Sequence, residues 1–167
     1  MKAELEKHIQ YAKSRKKEYG NFFKKIKSRP PKNLDAQFHR LHDEVFEEID
    51  CLDCANCCKT TSPAFYAKDV ERLASYLNMK VAAFEENYLR RDSDGDLVLQ
   101  TAPCPFLMHD NKCSVYEARP KACREYPHTN RRKMQQILDL TLKNTRICPA
   151  TAEIVKRIKQ QYEKQIK

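Results

Sequence analysis

The sequence predicts a mainly α protein, a small helical domain with a short β-hairpin and an irregular cysteine-rich metal-binding core. Three observations carry this expectation. Apolar residues recur every three or four positions toward both ends. The middle of the chain trades that pattern for prolines and closely spaced cysteines, and the whole chain has only two glycines. Four of the eight cysteines fall in Cys51-Leu-Asp-Cys54-Ala-Asn-Cys57-Cys58.

Leu5, Ile9, Ala12, Tyr19, Phe23 and Ile26 share one helical face, with Lys16 interrupting, so the spacing predicts one long amphipathic helix over residues 3–27. Arg29-Pro30-Pro31 ends it, because proline restricts the residue before it and offers no amide donor. Leu34, Phe38, Leu41, Val45 and Ile49 repeat the pattern and define a second helix that delivers the chain to Cys51. Ser62-Pro63 reads as a turn. Asp69 is the expected N-cap of a helix running to about Leu77, with Val70, Leu73 and Leu77 inward. A further short helix is expected over residues 80–91.

Asp94-Gly95 precedes the β-prone Leu97-Val98-Leu99 and predicts the hairpin. The acidic run 92–96 is no calcium loop, since its glycine is the fourth residue and Pro103 stands where a bidentate Glu is needed. Residues 101–129 hold four prolines and three cysteines, so irregular backbone held by ligation is expected there. Helices over about 131–143 and 150–165 bracket Cys148-Pro149. We read residues 1–167 as a single domain: N-terminal helices over 1–50, a cysteine-cluster region over 51–148 and a C-terminal helix over 149–167.

With 41% hydrophobic residues and a mean hydropathy of −0.81, a chain of 167 residues supports one modest core and no membrane span. The first ten residues are charged and lack the apolar centre of a secretion signal, so the expected compartment is the cytoplasm and no membrane is expected as partner. In that reducing compartment, cysteines serve ligation or chemistry in preference to structural disulfides. The net charge of +9 is uneven. Residues 1–33 carry eleven basic and three acidic side chains, residues 34–130 eleven and seventeen, and residues 131–167 ten and three. Basic ends flanking an acidic middle allow either a salt-bridged arrangement or a surface for nucleic acid on the basic terminal helices.

A CxxC turn sets two thiolates around one metal at about 2.3 Å for zinc, a geometry open to Cys51 with Cys54 and to Cys54 with Cys57. Cys57 and Cys58 diverge if the backbone is extended, which suggests two centres or one polynuclear cluster. Cys104, Cys113, Cys123 and Cys148 bring the total to eight, enough for two four-thiolate sites with no histidine. His109 and His128 lie near enough in sequence to replace a thiolate, whereas His39 and His42 read as packing residues of the second helix. Spacing leaves the partition of ligands open, and thiolates serve zinc and an iron–sulfur cluster alike. The ferredoxin pattern CxxCxxCxxxCP and the radical-generating CxxxCxxC are both missing. Arg119 and Arg124 are candidates to donate hydrogen bonds to metal-bound sulfur.

The string CxxCxxCC, then CPFL over Cys104–Leu107, CSVYEARPKACREYP over Cys113–Pro127 and a late Cys148, resembles the CxxCxxCC cysteine-cluster family, the YkgJ-like zinc- or iron-chelating domains. The resemblance spans Cys51 to Cys148. It implies a metal- or cluster-binding domain with Cys51, Cys54, Cys57, Cys58, Cys104, Cys113, Cys123 and Cys148 as ligands, and no settled reaction. No catalytic constellation is recognisable, and no glycine-rich loop follows a strand. The function expected is therefore a cytoplasmic metal-binding protein with zinc or an iron–sulfur cluster, in a structural or electron-transfer role with a redox or protein partner. The alternative is a metal-dependent regulatory or nucleic-acid-binding module, and an enzyme is the third reading.

Overall fold

The computed structural model describes residues 1–165, and the described chain is mainly α with one small antiparallel sheet. It divides into two compact units, one from residues 1–54 and 127–167, the other from residues 55–126.

The first unit holds α1 (Ala3–Ser14), α2 (Lys16–Ser28) and α3 (Leu34–Glu48) from the N-terminal part of the chain. The single long helix expected over 3–27 is thus two. The break is at Arg15, whose N–H is shared between the carbonyls of Tyr11 and Ala12, while Ser14 Oγ donates back to Tyr11 O at 2.8 Å. A hydroxyl bonded to its own preceding turn competes with the helical ladder and bends it. The apolar stripe still runs through the break: Leu5, Ile9, Ala12, Tyr19, Phe23 and Ile26 are all buried, and Phe22 joins them. All five predicted inward residues of α3 are buried too, Phe38 and Val45 fully.

The second unit contains α4 (Asn56–Thr60), β1 (Ala64–Phe65), α5 (Ala67–Tyr76), α6 (Val81–Tyr88), β2 (Leu89–Arg91), β3 (Leu97–Leu99) and α7 (Lys121–Glu125). The hairpin forms around Asp94-Gly95, with Leu89 opposite Leu99 and Arg91 opposite Leu97. Gly95 has φ 85°, and Asp92 Oδ1 accepts the N–H groups of Asp94 and Asp96, so this carboxylate closes the turn. Beyond the hairpin, β1 pairs with β3, and the sheet order is β1-β3-β2. Two residues are too few for a periodic signal. The helix expected over 80–91 stops at Tyr88 because Gln100 Nε2 donates to the carbonyls of Glu86 and Leu89, satisfying the helix end and opening the strand.

Asp69 is not the N-cap of α5 but lies one turn inside it, where its carboxylate accepts the N–H of Tyr66 at 3.2 Å. It also accepts Arg72 Nη2 at 2.5 Å and the Lys121 N–H at 3.1 Å, tying α5 to the start of α7. Phe65, Val70, Leu73, Phe84, Leu99, Phe106 and Val115 form this unit's own core.

The remainder of the first unit returns after residue 126. A 3₁₀ turn at Met134–Ile137 leads into α8 (Leu138–Asn144), and α9 (Pro149–Gln165) is the last described element. The helix expected over 131–143 starts late because both oxygens of Asp35 hold the N–H groups of Lys133 and Met134. His42 Nδ1 lies 2.8 Å from Thr129 Oγ1, and His39 Nε2 donates to Arg131 O, so both histidines fasten this returning segment to α3. α9 packs against α1 and α3, and α8 against α2. No described helix is long and apolar enough to cross a membrane.

Counted over the units' residues, the first carries 22 basic and 13 acidic side chains and the second ten of each. The net charge of +9 therefore belongs to the first unit.

Two outcomes check this frame. Phe38→Ala removes a fully buried ring from the first core and costs about 3–5 kcal/mol, read as a lowered denaturation midpoint. For Asp69, burial alone raises the pKa, but Arg72 and the amides of Tyr66 and Lys121 outweigh it and hold the carboxyl below its ordinary value. A folded-state pKa below the unfolded value of about 3.9 gives stability that is complete well above that pH and lost as pH falls through the folded value. Unfolding curves from pH 7 to 2 should show this loss in the native chain, and Asp69→Asn should be less stable at pH 7 and flatter across that range.

Candidate metal centre

Five cysteines fall in the second unit. Ala55, in the left-handed region at φ 47°, turns the chain into α4, which carries Cys57 and Cys58. The backbone here is helical, so the divergence expected of an extended vicinal pair does not apply, and the two sulfurs lie 4.0 Å apart. That is close to the spacing of about 3.8 Å between two thiolates on one tetrahedral ion with bonds of about 2.3 Å. The Cys58 carbonyl accepts the N–H of Cys104 at 2.8 Å, which sets α4 beside the next cysteine.

Cys104 and Cys113 are held by a small antiparallel pairing that the proline-rich sequence conceals. Ser114 N–H donates to Phe106 O, Met108 N–H donates to Lys112 O, and Leu107 bridges to Cys113. Each cysteine is followed by a tight turn whose amides face back to the sulfur: Phe106 and Leu107 for Cys104, Val115 for Cys113. Cys123 rides on α7, the helix anchored by Asp69.

The four thiols of Cys58, Cys104, Cys113 and Cys123 sense one another's charge. The S–H of Cys57 stabilises the Cys58 thiolate and lowers its pKa to about 7 against the opposing effect of burial. Burial pushes Cys104 up to about 11, with charge on Cys58 and Cys113 adding to it. Cys113 is raised chiefly by burial. Cys123 is pushed up to about 12 by the protein crowded around its thiol and then by charge on Cys58, Cys104 and Cys113. As a residue Cys123 is exposed, so water offsets part of the crowding, and the proximity of the other three thiols is the firmer cause.

Arg119 lies beside this group. Its charge lowers the pKa of Cys113 and Cys123, its guanidinium sits 3.5 Å from the centre of the Tyr116 ring, and its Nε is buried without an acceptor. Arg124 is occupied differently, donating to Arg119 O at 2.9 Å and so bracing the backbone of the loop.

The other three cysteines belong to the first unit. Asp50 Oδ1 accepts the Leu52 N–H and starts a 3₁₀ turn at Cys51–Asp53; the Cys54 N–H then closes on Cys51 O at 3.1 Å. Cys51 is exposed and Cys54 buried. Cys148 caps α9. Its carbonyl accepts the Ala152 N–H, its sulfur accepts the Thr151 N–H at 3.5 Å, and Pro149 occupies the first helical position, where no donor is needed. Burial raises its pKa against the pull of the Thr151 hydroxyl and the Thr151 and Ala150 amides, and charge on Cys54 adds to the rise. His109 is exposed in the second unit, and His128 adopts a left-handed backbone at φ 66° in the first.

Among the described residues no three His, Cys, Asp or Glu side chains are already closed around a single point. The surroundings of the sulfurs nevertheless fit a bound cation. A neutral thiol is a poor acceptor and a thiolate a good one. Arg119 Nε is a buried donor without an acceptor beside Cys113 and Cys123, and the Thr151 hydroxyl and amide face the Cys148 sulfur; all of these donors would be better matched by thiolates than by thiols. Thr151 could not be found from spacing, since its role depends on Cys148 being a helix cap.

Helices and knuckle turns that gather thiols among amide donors define a cysteine-rich chelating domain. The family model for CxxCxxCC, "Putative zinc- or iron-chelating domain", matches residues 50–149, all eight cysteines included, and the chain belongs to that family. No solved structure matches it.

In reduced, metal-free protein at pH 7.5, iodoacetamide should label Cys58 well ahead of Cys104, because the thiolate is the reactive form and Cys58 is lowered to about 7 while Cys104 is pushed up to about 11. Peptide mass mapping over time reads the order.

Proposed function

We propose that this protein holds zinc or iron, the iron as an iron–sulfur cluster, through its eight cysteine thiolates, in a structural or electron-transfer role within the cytoplasm. The observation that carries the reading is the group of Cys58, Cys104, Cys113 and Cys123, four thiols coupled by charge with turn amides aimed at two of their sulfurs. Burial, joined at Cys123 by the charge of its neighbouring thiols, holds three of them protonated near neutral pH, and a cation would reverse that preference. Cys57, beside Cys58, belongs to the same unit, and Cys51, Cys54 and Cys148 supply a second group within the other. In this reading Arg119 donates to bound sulfur and offsets its charge, while Arg124 acts through Arg119's backbone.

The test is iron, zinc and acid-labile sulfide per chain, with a visible spectrum, on protein purified without oxygen. Iron with sulfide identifies a cluster and directs the search to redox partners; zinc without sulfide makes the centre a scaffold or a Lewis-acid site. Cys104→Ser and Cys148→Ser should each lower metal content and the melting temperature, because ligation free energy is folding free energy. Full metal content and unchanged melting in both variants would sink the assignment.

A second reading, a nucleic-acid-binding module, is favoured by the confinement of net charge to the first unit. Lys16, Lys17 and Lys24 are exposed on α2. Reversing all three should leave metal content unchanged and weaken binding to RNA or DNA, with a shallower salt dependence. Equal affinity for native and reversed chains would remove this surface from consideration.

A further inference from the structure

The start of the chain points at the smaller group of thiols. α1–α2 and α9 run parallel, as their paired contacts show: His8 with Glu153 at 3.0 Å, Glu18 with Lys159 at 2.6 Å, and the Phe22 ring with Tyr162 at 5.5 Å. Carried back along both helices, this register brings the start of α1 level with the start of α9, where Cys148 is the cap. Lys2 is tied there twice. Its N–H donates to Asp53 O at 3.3 Å and its ammonium pairs with Asp53 Oδ2 at 2.6 Å.

That tether seats Met1 on the Cys51–Cys54 turn, with Met1 Sδ 3.5 Å from Cys54 Sγ. The sulfurs of Cys54 and Cys148 are in turn close enough to interact by charge. A thioether, the sulfurs of Cys54 and Cys148 and the neighbouring Cys51 therefore gather where two parallel helices begin. The positive ends of both helices favour the negative charge of bound thiolates. Within this unit the three cysteines leave a four-coordinate ion one donor short, and Met1 is the sulfur already in place.

Resting on the proposed role of these cysteines, we infer that the Met1 thioether is a ligand of the metal held by Cys51, Cys54 and Cys148. A neutral thioether makes this shell one charge less negative than four thiolates. It also keeps the shell entirely sulfur, suited to a soft, sulfur-preferring ion.

The test is metal K-edge X-ray absorption on the full chain grown with selenomethionine and loaded with zinc without oxygen, both unsubstituted and as Cys104→Ser/Cys123→Ser. The double variant disables the other group, so the remaining zinc reports on this one. A zinc–selenium path at bonding distance, stronger in the double variant and lost in a Met1→Leu chain released from an N-terminal fusion, is the expected result. Zinc affinity of this centre should also fall by about 10–100-fold on Met1→Leu, on the scale of losses seen when a metal site's supporting groups are removed. Zinc retained without a selenium path overturns the Met1 inference alone. Failure of the folded double variant, checked by circular dichroism, to hold zinc removes the separate second centre and Met1's role with it. The unsubstituted chain needs no substitution to be informative: absence of the selenium path there overturns the inference even if the double variant does not fold.

Discussion

Holding sulfur in place while its charge is unpaired is the constraint on which the rest of the structure depends. A buried thiolate without a partner costs several kcal/mol, so a metal-free site relaxes to neutral thiols. The raised pKa values of Cys104, Cys113, Cys123 and Cys148 record that relaxation. Against it the fold sets amide donors, the Arg119 guanidinium and the Thr151 hydroxyl, none of which suffices alone. An arginine Nε left without an acceptor beside reluctant thiols is a consistent pair of deficits, and a bound divalent cation would remove both.

Each cysteine is positioned by a backbone device of its own kind. Cys148 is a helix cap, Cys104 and Cys113 precede tight turns, Cys57 and Cys58 share a short helix entered through a left-handed residue, and Cys123 rides on a helix fixed by a buried carboxylate. The two cores explain how these devices stay rigid. The first is a bundle in which α9 is joined to α1 through Glu153 and to α2 through Glu18; the second is a small sheet and the helices α5 and α6, closed by Phe65, Phe84, Phe106 and their neighbours. Asp69 does for the second unit what Asp35 does for the first: one buried or half-buried carboxylate takes several amides and fixes a segment distant in sequence.

The charge pattern changes meaning when the fold is known. Along the chain the acidic residues form a middle block, but those between residues 35 and 53 belong with the basic ends, where Glu48 pairs with Arg157 and Asp53 with Lys2. What remains is a neutral unit carrying five cysteines and a strongly basic unit carrying three.

Read alone, the sequence determined the helical class, the buried faces of α1, α2, α3 and α5, the hairpin at Asp94-Gly95 and the family. All of these are written in local periodicity, in turn chemistry or in an ordered string of cysteines. Local patterns could not place the break at Arg15, the two-residue strand β1 or the early end of α6. These depend on a serine bonding its own helix, a pairing with a distant strand and a glutamine from another segment. The same limit applies to the sulfurs. Spacing within the cysteine cluster says that thiols are close along the chain, but that Cys58 shares surroundings with Cys104, and Cys54 with Cys148, is decided by contacts more than forty residues apart. Such contacts exist only once helices and sheet have packed, because side chains meet through tertiary burial and not through order in the sequence.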